Sequence, residues 1–134
     1  MKKILLVISI SIIVILLNSC NKIKDTYVIV IVIDNNDHNV GAGTIVHMFE
    51  NSPDENLGSN PMFSETSMTT NASGQAEFLL TPGQFVDDGY DVISRFFTIF
   101  EVNDDPFIED KVIGTASINI EYGKTQNLTI KISE

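Results

Sequence analysis

A run of β-branched residues early in the chain constrains the fold more than any other feature. Valine and isoleucine alternate without interruption from Val28 to Ile33, and Tyr27 precedes them. Branching at Cβ restricts χ1 and suits the pleated surface of a strand. Because the run is apolar on both faces, the sequence predicts a first strand over 26–34 that lies centrally in a sheet or is covered on both sides.

The following residues show the same period of two, interrupted by turn-forming residues. Further strands are predicted over 43–50, 65–70, 75–80, 89–101, 112–122 and 127–133. We expect 65–70 and 75–80 to pair around a turn at Gly74, and the last two strands to form a hairpin through Gly123. About seven short antiparallel strands predict an all-β, Ig-like sandwich.

The last two predicted strands show the clearest difference between an apolar face and a polar face. Alternate positions are apolar or small, whereas the residues between them are mostly polar. We expect the apolar set to face the core. Its members are Val112, Gly114, Ala116, Ile118, Ile120 and Tyr122 in one strand, and Leu128, Ile130 and Ile132 in the other.

The N-terminal segment has the composition of an export signal. Lys2 and Lys3 precede the apolar stretch Ile4–Leu17, which is too short to span a bilayer as a stable helix. Leu17-Asn18-Ser19-Cys20 follows, and Cys20 is the only cysteine in the chain. This motif resembles the lipobox of bacterial lipoproteins, which has an aliphatic residue three places before the cysteine and a small residue directly before it.

The lipobox resemblance implies cleavage between Ser19 and Cys20 and attachment of diacylglycerol to the Cys20 thiol. We therefore expect a signal peptide over 1–19, a lipidated tether over 20–25 and one β-sandwich domain over 26–134. Two or three acyl chains give a stable anchor, at about 0.8 kcal/mol per buried CH2. The expected location is the bacterial cell envelope, at the periplasmic side of the outer membrane or at the cell surface, with the membrane as one partner.

The charge of the chain restricts its other partners. Residues 1–19 contain two charged side chains, Lys2 and Lys3, so the mature chain is two units more negative than the −10 of the full sequence. Such a surface repels nucleic acid and anionic lipid, which argues against nucleic-acid binding. It favours solubility, cations or basic partners.

Three motifs in the predicted domain resemble those of transthyretin-like modules. Val40-Gly41-Ala42 follows the first predicted strand, Thr69-Thr70-Asn71-Ala72-Ser73-Gly74 lies in mid-chain, and Pro82-Gly83 comes after it. Their order resembles that of carboxypeptidase regulatory-like domains and Cna B-type repeats. The resemblance implies a non-enzymatic spacer, accessory domain or protein-binding unit of an envelope assembly. Lipoproteins of this architecture are common in the Bacteroidetes, where some are adhesins or pilus components.

Candidate chemistry is limited to two kinds of residue. His38 lies in a predicted turn and His47 in a predicted strand, and neither belongs to a recognisable hydrolase motif. Asp34, Asn36 and Asp37 offer oxygen ligands in one turn and are weak candidates for Ca2+, although EF-hand spacing fails. We expect solvated turns, no metal site, no cofactor and no catalytic residue.

The expected function is therefore that of a lipid-anchored binding or structural module without catalytic activity. The alternative is a calcium-stabilised adhesive or carbohydrate-contacting surface module. Two predicted loops carry apolar pairs, Met62 with Phe63 and Phe107 with Ile108. We expect these pairs to cap the open ends of the sandwich, and binding contacts are the alternative.

Overall fold

A computed structural model describes residues 24–52, 60–86, 91–102, 104 and 110–133. The described residues contain seven strands, which confirms the all-β prediction. The strands are β1 (Thr26–Ile33), β2 (Ile45–Phe49), β3 (Thr66–Thr69), β4 (Gln75–Leu80), β5 (Val92–Glu101), β6 (Lys111–Glu121) and β7 (Thr125–Lys131). A 3-10 turn at Pro61–Phe63 and a short helix α1 at Gly83–Val86 lie between strands.

The strands form two sheets that pack as a sandwich. One sheet has the order β4-β1-β7 and the other has the order β3-β2-β5-β6. Neighbouring strands are antiparallel except β1 and β7, which pair in parallel, a pairing that the expected antiparallel arrangement did not include. The central position predicted for the first strand is confirmed, because β1 pairs with β4 on one side and with β7 on the other.

The core lies between the two sheets. Val28, Val30 and Val32 of β1 are buried toward it, whereas the alternating side chains of β1 are partly exposed. Near the middle of the core the rings of Phe78 and Phe97 meet edge to face with centroids 5.0 Å apart. Burying each of these large apolar side chains contributes about 1.5–3 kcal/mol to folding.

Two predicted hairpins are wrong, although their turns are correctly placed. Strand β3 pairs with β2 and β4 pairs with β1, so the turn at Gly74, where φ is 70°, carries the chain from one sheet to the other. The turn at Gly123 likewise joins β6 to β7 across the two sheets. Period-two alternation predicts which face of a strand is buried. It does not predict which sheet the strand joins, because both sheets of a sandwich bury their inner faces.

A β-bulge changes one predicted core position. The register between β5 and β6 shifts between Ile99 and Phe100, so that Ile99 is opposite Gly114 while Phe100 is opposite Val112. The extra residue, Ile113, packs against the core in place of Val112. The other predicted inward positions of β6 and β7 are buried or partly buried.

The two ends of the sandwich carry different connections. The end at which the chain enters β1, here called the entry end, also carries the β2–β3 and β4–β5 connections and the β6–β7 turn. The far end carries the β1–β2 turn, the β3–β4 turn and the last residues of β5 and β7.

Candidate functional site

The predicted lipidation site joins the sandwich through a short segment. Ser19 and Cys20 lie outside the described residues. The description begins at Lys24, and β1 begins at Thr26, so that residues 21–25 alone separate Cys20 from the central strand of a sheet. A group attached to Cys20 would therefore be held close to the entry end.

The start of β1 is fixed to the β6–β7 turn. The Thr26 side chain is fully buried, and its Oγ1 accepts a hydrogen bond of 2.8 Å from the Gly123 N–H. The Tyr27 N–H donates to the Lys124 carbonyl at 3.0 Å. A Cβ atom at Gly123 would come within 2.9 Å of Lys24 Cδ, which shows that the Lys24 side chain lies against this turn.

The weak calcium candidates belong to the β1–β2 turn at the far end. Asp34 Oδ1 accepts hydrogen bonds from the backbone N–H groups of Asn36 at 2.8 Å and His38 at 2.9 Å. The hydrogen bond from the His38 backbone is the main reason that the pKa of the Asp34 carboxyl lies below its usual value. Asp34 therefore organises the turn as an Asx residue does.

Asp37 also has a partner within the protein. Its backbone adopts a left-handed conformation with φ of 62°, and its Oδ1 accepts a hydrogen bond of 2.8 Å from Lys131 Nζ. Within the described residues there is no group of three or more His, Cys, Asp or Glu side chains suited to a metal ion. The Asp34 carboxylate thus stabilises the turn, and the Asp37 carboxylate forms an ion pair with Lys131.

His47 belongs to an aromatic cluster on the outer face of the four-stranded sheet. Its ring centroid lies 5.4 Å from that of Phe100 and 6.5 Å from that of Phe49. Burial lowers the pKa of the imidazole, and the charge of Asp110 opposes this effect. The ring therefore packs as a half-buried aromatic side chain.

A serine also lies near His47. The distance from Ser64 Oγ to His47 Nδ1 is 3.4 Å, and the same hydroxyl donates to the Pro61 carbonyl at 2.8 Å. A base-activated nucleophile directs its proton to the base. The hydroxyl proton of Ser64 instead goes to the backbone, so this pair stabilises the end of the 3-10 turn.

The capping role expected for Met62 and Phe63 is wrong. Their side chains are 86% and 79% exposed. Asn60 Oδ1 accepts from the Met62 N–H at 2.9 Å, which caps the 3-10 turn and holds both apolar side chains in solvent. Phe107 and Ile108, for which the same role was expected, lie outside the described residues.

Arg95 and Glu65 form an ion pair that was not predicted from the sequence. Arg95 Nε donates to Glu65 Oε2 at 2.7 Å, and Nη2 donates to Oε1 at 3.3 Å. Their side chains are 9% and 29% exposed. The available signal was one arginine within the apolar and aromatic strand β5, because a buried guanidinium requires a carboxylate or carbonyl partner.

Comparison with known proteins leaves the family open. No protein-family model matches the sequence, and no curated protein is significantly similar to it. None of the helices in the described ranges has both the length and the apolar character required to cross a bilayer. The lipobox and the transthyretin-like motifs therefore remain predictions that rest on the residues quoted above.

Proposed function

We propose that this chain is a lipid-anchored cell-envelope module that acts by binding or as a structural part, without catalysis. The observation that carries the proposal is the short link between Cys20 and the sandwich. An export-type apolar segment ends at a lone cysteine, and β1 begins directly after residues 21–25. Lipid on Cys20 would attach a folded β domain closely to a membrane.

The position of β1 suits attachment by a lipid. It has hydrogen-bonded neighbours on both sides, and Thr26 is joined to the β6–β7 turn. A load applied at the tether is therefore distributed over the whole three-stranded sheet. A terminal edge strand would be held from one side only.

The outer face of the three-stranded sheet offers a surface for a protein partner. Four side chains of β1 form a partly exposed apolar stripe on this face, and Leu79 of β4 lies beside it. The stripe consists of Tyr27, Ile29, Ile31 and Ile33. Contiguous apolar surface with polar neighbours is typical of contact sites between proteins, which supports the binding role.

The proposal is tested by the Cys20→Ser substitution in the producing bacterium. We expect the variant to keep the full precursor mass and to lose incorporation of a labelled fatty acid, because serine cannot form the thioether. Ser19→Ala is the matched control, since it keeps a small residue before Cys20 and should be processed and labelled normally. Native protein that retains Met1, or that begins with an unmodified Cys20, would contradict the proposal.

A further inference from the structure

Two large apolar side chains are held in solvent by an ordered turn. Met62 and Phe63 are the two most exposed large apolar side chains among the described residues. The turn that carries them is closed by backbone hydrogen bonds from Phe63 N to Asn60 O at 3.0 Å and from Ser64 N to Pro61 O at 3.2 Å. Pro61 at its first position favours this conformation. The exposed pair is thus a fixed feature of the surface.

The exposed pair lies at the end of the sandwich where the tether begins. The 3-10 turn belongs to the β2–β3 connection, which is at the entry end together with Lys24 and the start of β1. Lys24 lies against the β6–β7 turn, whereas the 3-10 turn lies beside β2 and β3, at the edge of the four-stranded sheet opposite β6. The two features are therefore separated by the thickness of the sandwich, about 10 Å, and by several strand spacings of about 4.8 Å. A flat surface placed against the entry end would meet both.

The length of the tether brings that end to the membrane. Even when fully extended, the chain from Cys20 to Lys24 spans at most about 14 Å between Cα atoms. If Cys20 sits at the lipid surface, the start of the described chain at Lys24 stays within about 14 Å of that surface. The tether also keeps the local concentration of lipid at the exposed pair high, so that even weak contacts are occupied.

We propose that Met62 and Phe63 insert into the interface of the bilayer that holds the lipidated Cys20, and so orient the sandwich on the membrane. This inference rests on the proposed lipid anchor. Two side chains expose too little area for a stable protein interface, whereas a tethered bilayer contact requires no more than such a pair. The contact is made by the uncharged side chains of Met62 and Phe63, so salt weakens it little.

The chain contains no tryptophan, which permits a direct test. The lipidated full chain carrying Phe63→Trp is reconstituted on phosphatidylcholine vesicles, with and without brominated acyl chains. We expect the indole emission to shift to shorter wavelength on attachment and to be quenched by the brominated lipid. Val102→Trp is the matched control, because Val102 is 70% exposed and directly follows β5 at the far end. Its indole emission should remain that of a solvent-exposed side chain.

Flotation of the same vesicles separates the two hypotheses. Protein that floats with the vesicles while the indole at position 63 stays unquenched overturns the insertion and leaves the anchor intact. Lipid-processed protein that fails to float overturns both. Equal quenching at positions 63 and 102 also overturns the inference, because it shows that the domain has no preferred orientation. Quenching at position 63 alone, unchanged at high salt, supports it.

Discussion

The Arg95–Glu65 pair supplies a prediction at the scale of single residues. Glu65→Gln removes the charge that faces a nearly buried guanidinium, which keeps the Ser94 carbonyl as a further partner at 2.9 Å. We expect the free energy of unfolding to fall by about 1–3 kcal/mol, because a desolvated charge loses its counter-ion. Urea denaturation of the variant and the parent protein measures this difference.

The control for this prediction is an exposed ion pair in the same protein. Glu121 pairs with Lys124 through side chains that are largely in solvent. Glu121→Gln should change the free energy of unfolding by less than about 0.5 kcal/mol. If both substitutions cost the same, burial does not strengthen the Arg95–Glu65 pair and the prediction fails.

At the residue scale, the sequence reveals local chemistry better than distant contacts. The lipobox-like motif could be proposed because Leu17, Ser19 and Cys20 lie within four consecutive residues. The partner of Arg95 was missed because Glu65 lies 30 positions away and meets it through folding alone. The carboxylates of the β1–β2 turn were identified as a cluster, whereas their hydrogen bonds to the backbone and to Lys131 depend on the folded turn.

At the scale of elements, one side chain joins the edges of the two sheets. Gln126 of β7 accepts from the Glu121 N–H at 2.7 Å and donates to the Asn119 carbonyl at 3.0 Å. Both backbone groups belong to β6, which is an edge strand of the four-stranded sheet. The Gln126 carboxamide thus makes the hydrogen bonds that a neighbouring strand would otherwise make with this part of the β6 edge.

We expect Gln126→Ala to expose this part of the β6 edge. The free energy of unfolding should fall by about 1–2 kcal/mol, and the Glu121 amide proton should exchange faster with solvent because it loses its acceptor. Hydrogen exchange followed by NMR measures the second effect at the residue concerned. Asn127→Ala, at the exposed neighbouring position of β7, is the control and should leave exchange at Glu121 unchanged. Unchanged exchange in both variants would show that the carboxamide does not protect the edge.

The strands were predictable, but their assignment to sheets was not. The alternation of apolar and polar residues in β6 and β7 defined their buried faces because it is a local property of the sequence. The run in β1 is apolar on both faces, so its sequence predicted a central strand and not which face is buried. At Gly74 and Gly123 the chain passes from one sheet to the other, and this depends on how the two sheets pack. A glycine turn is compatible with a hairpin within one sheet and with a connection between two sheets. The bulge at Ile113 likewise arises from strand pairing, so Val112 was misplaced.

At the scale of the whole molecule, charge determines the response to salt. The full chain carries a net charge of −10 at pH 7, and removal of residues 1–19 would make it more negative. Like charges on a compact domain repel each other, and dissolved ions screen this repulsion. The melting temperature of the chain without residues 1–19 should therefore rise with ionic strength whichever salt is used.

A comparison of two salts distinguishes this charge screening from binding of calcium at a specific site. We expect CaCl2 and MgCl2 at equal ionic strength to raise the melting temperature equally, because the Asp34 and Asp37 carboxylates already have partners within the protein. A bound ion would instead add stabilisation that grows with its own concentration as RT ln(1 + [L]/Kd). A rise in the presence of CaCl2 alone would contradict the prediction and support the calcium-stabilised alternative. Asp34→Asn would then show whether the ion sits at the β1–β2 turn, since a site elsewhere would keep its calcium response in that variant.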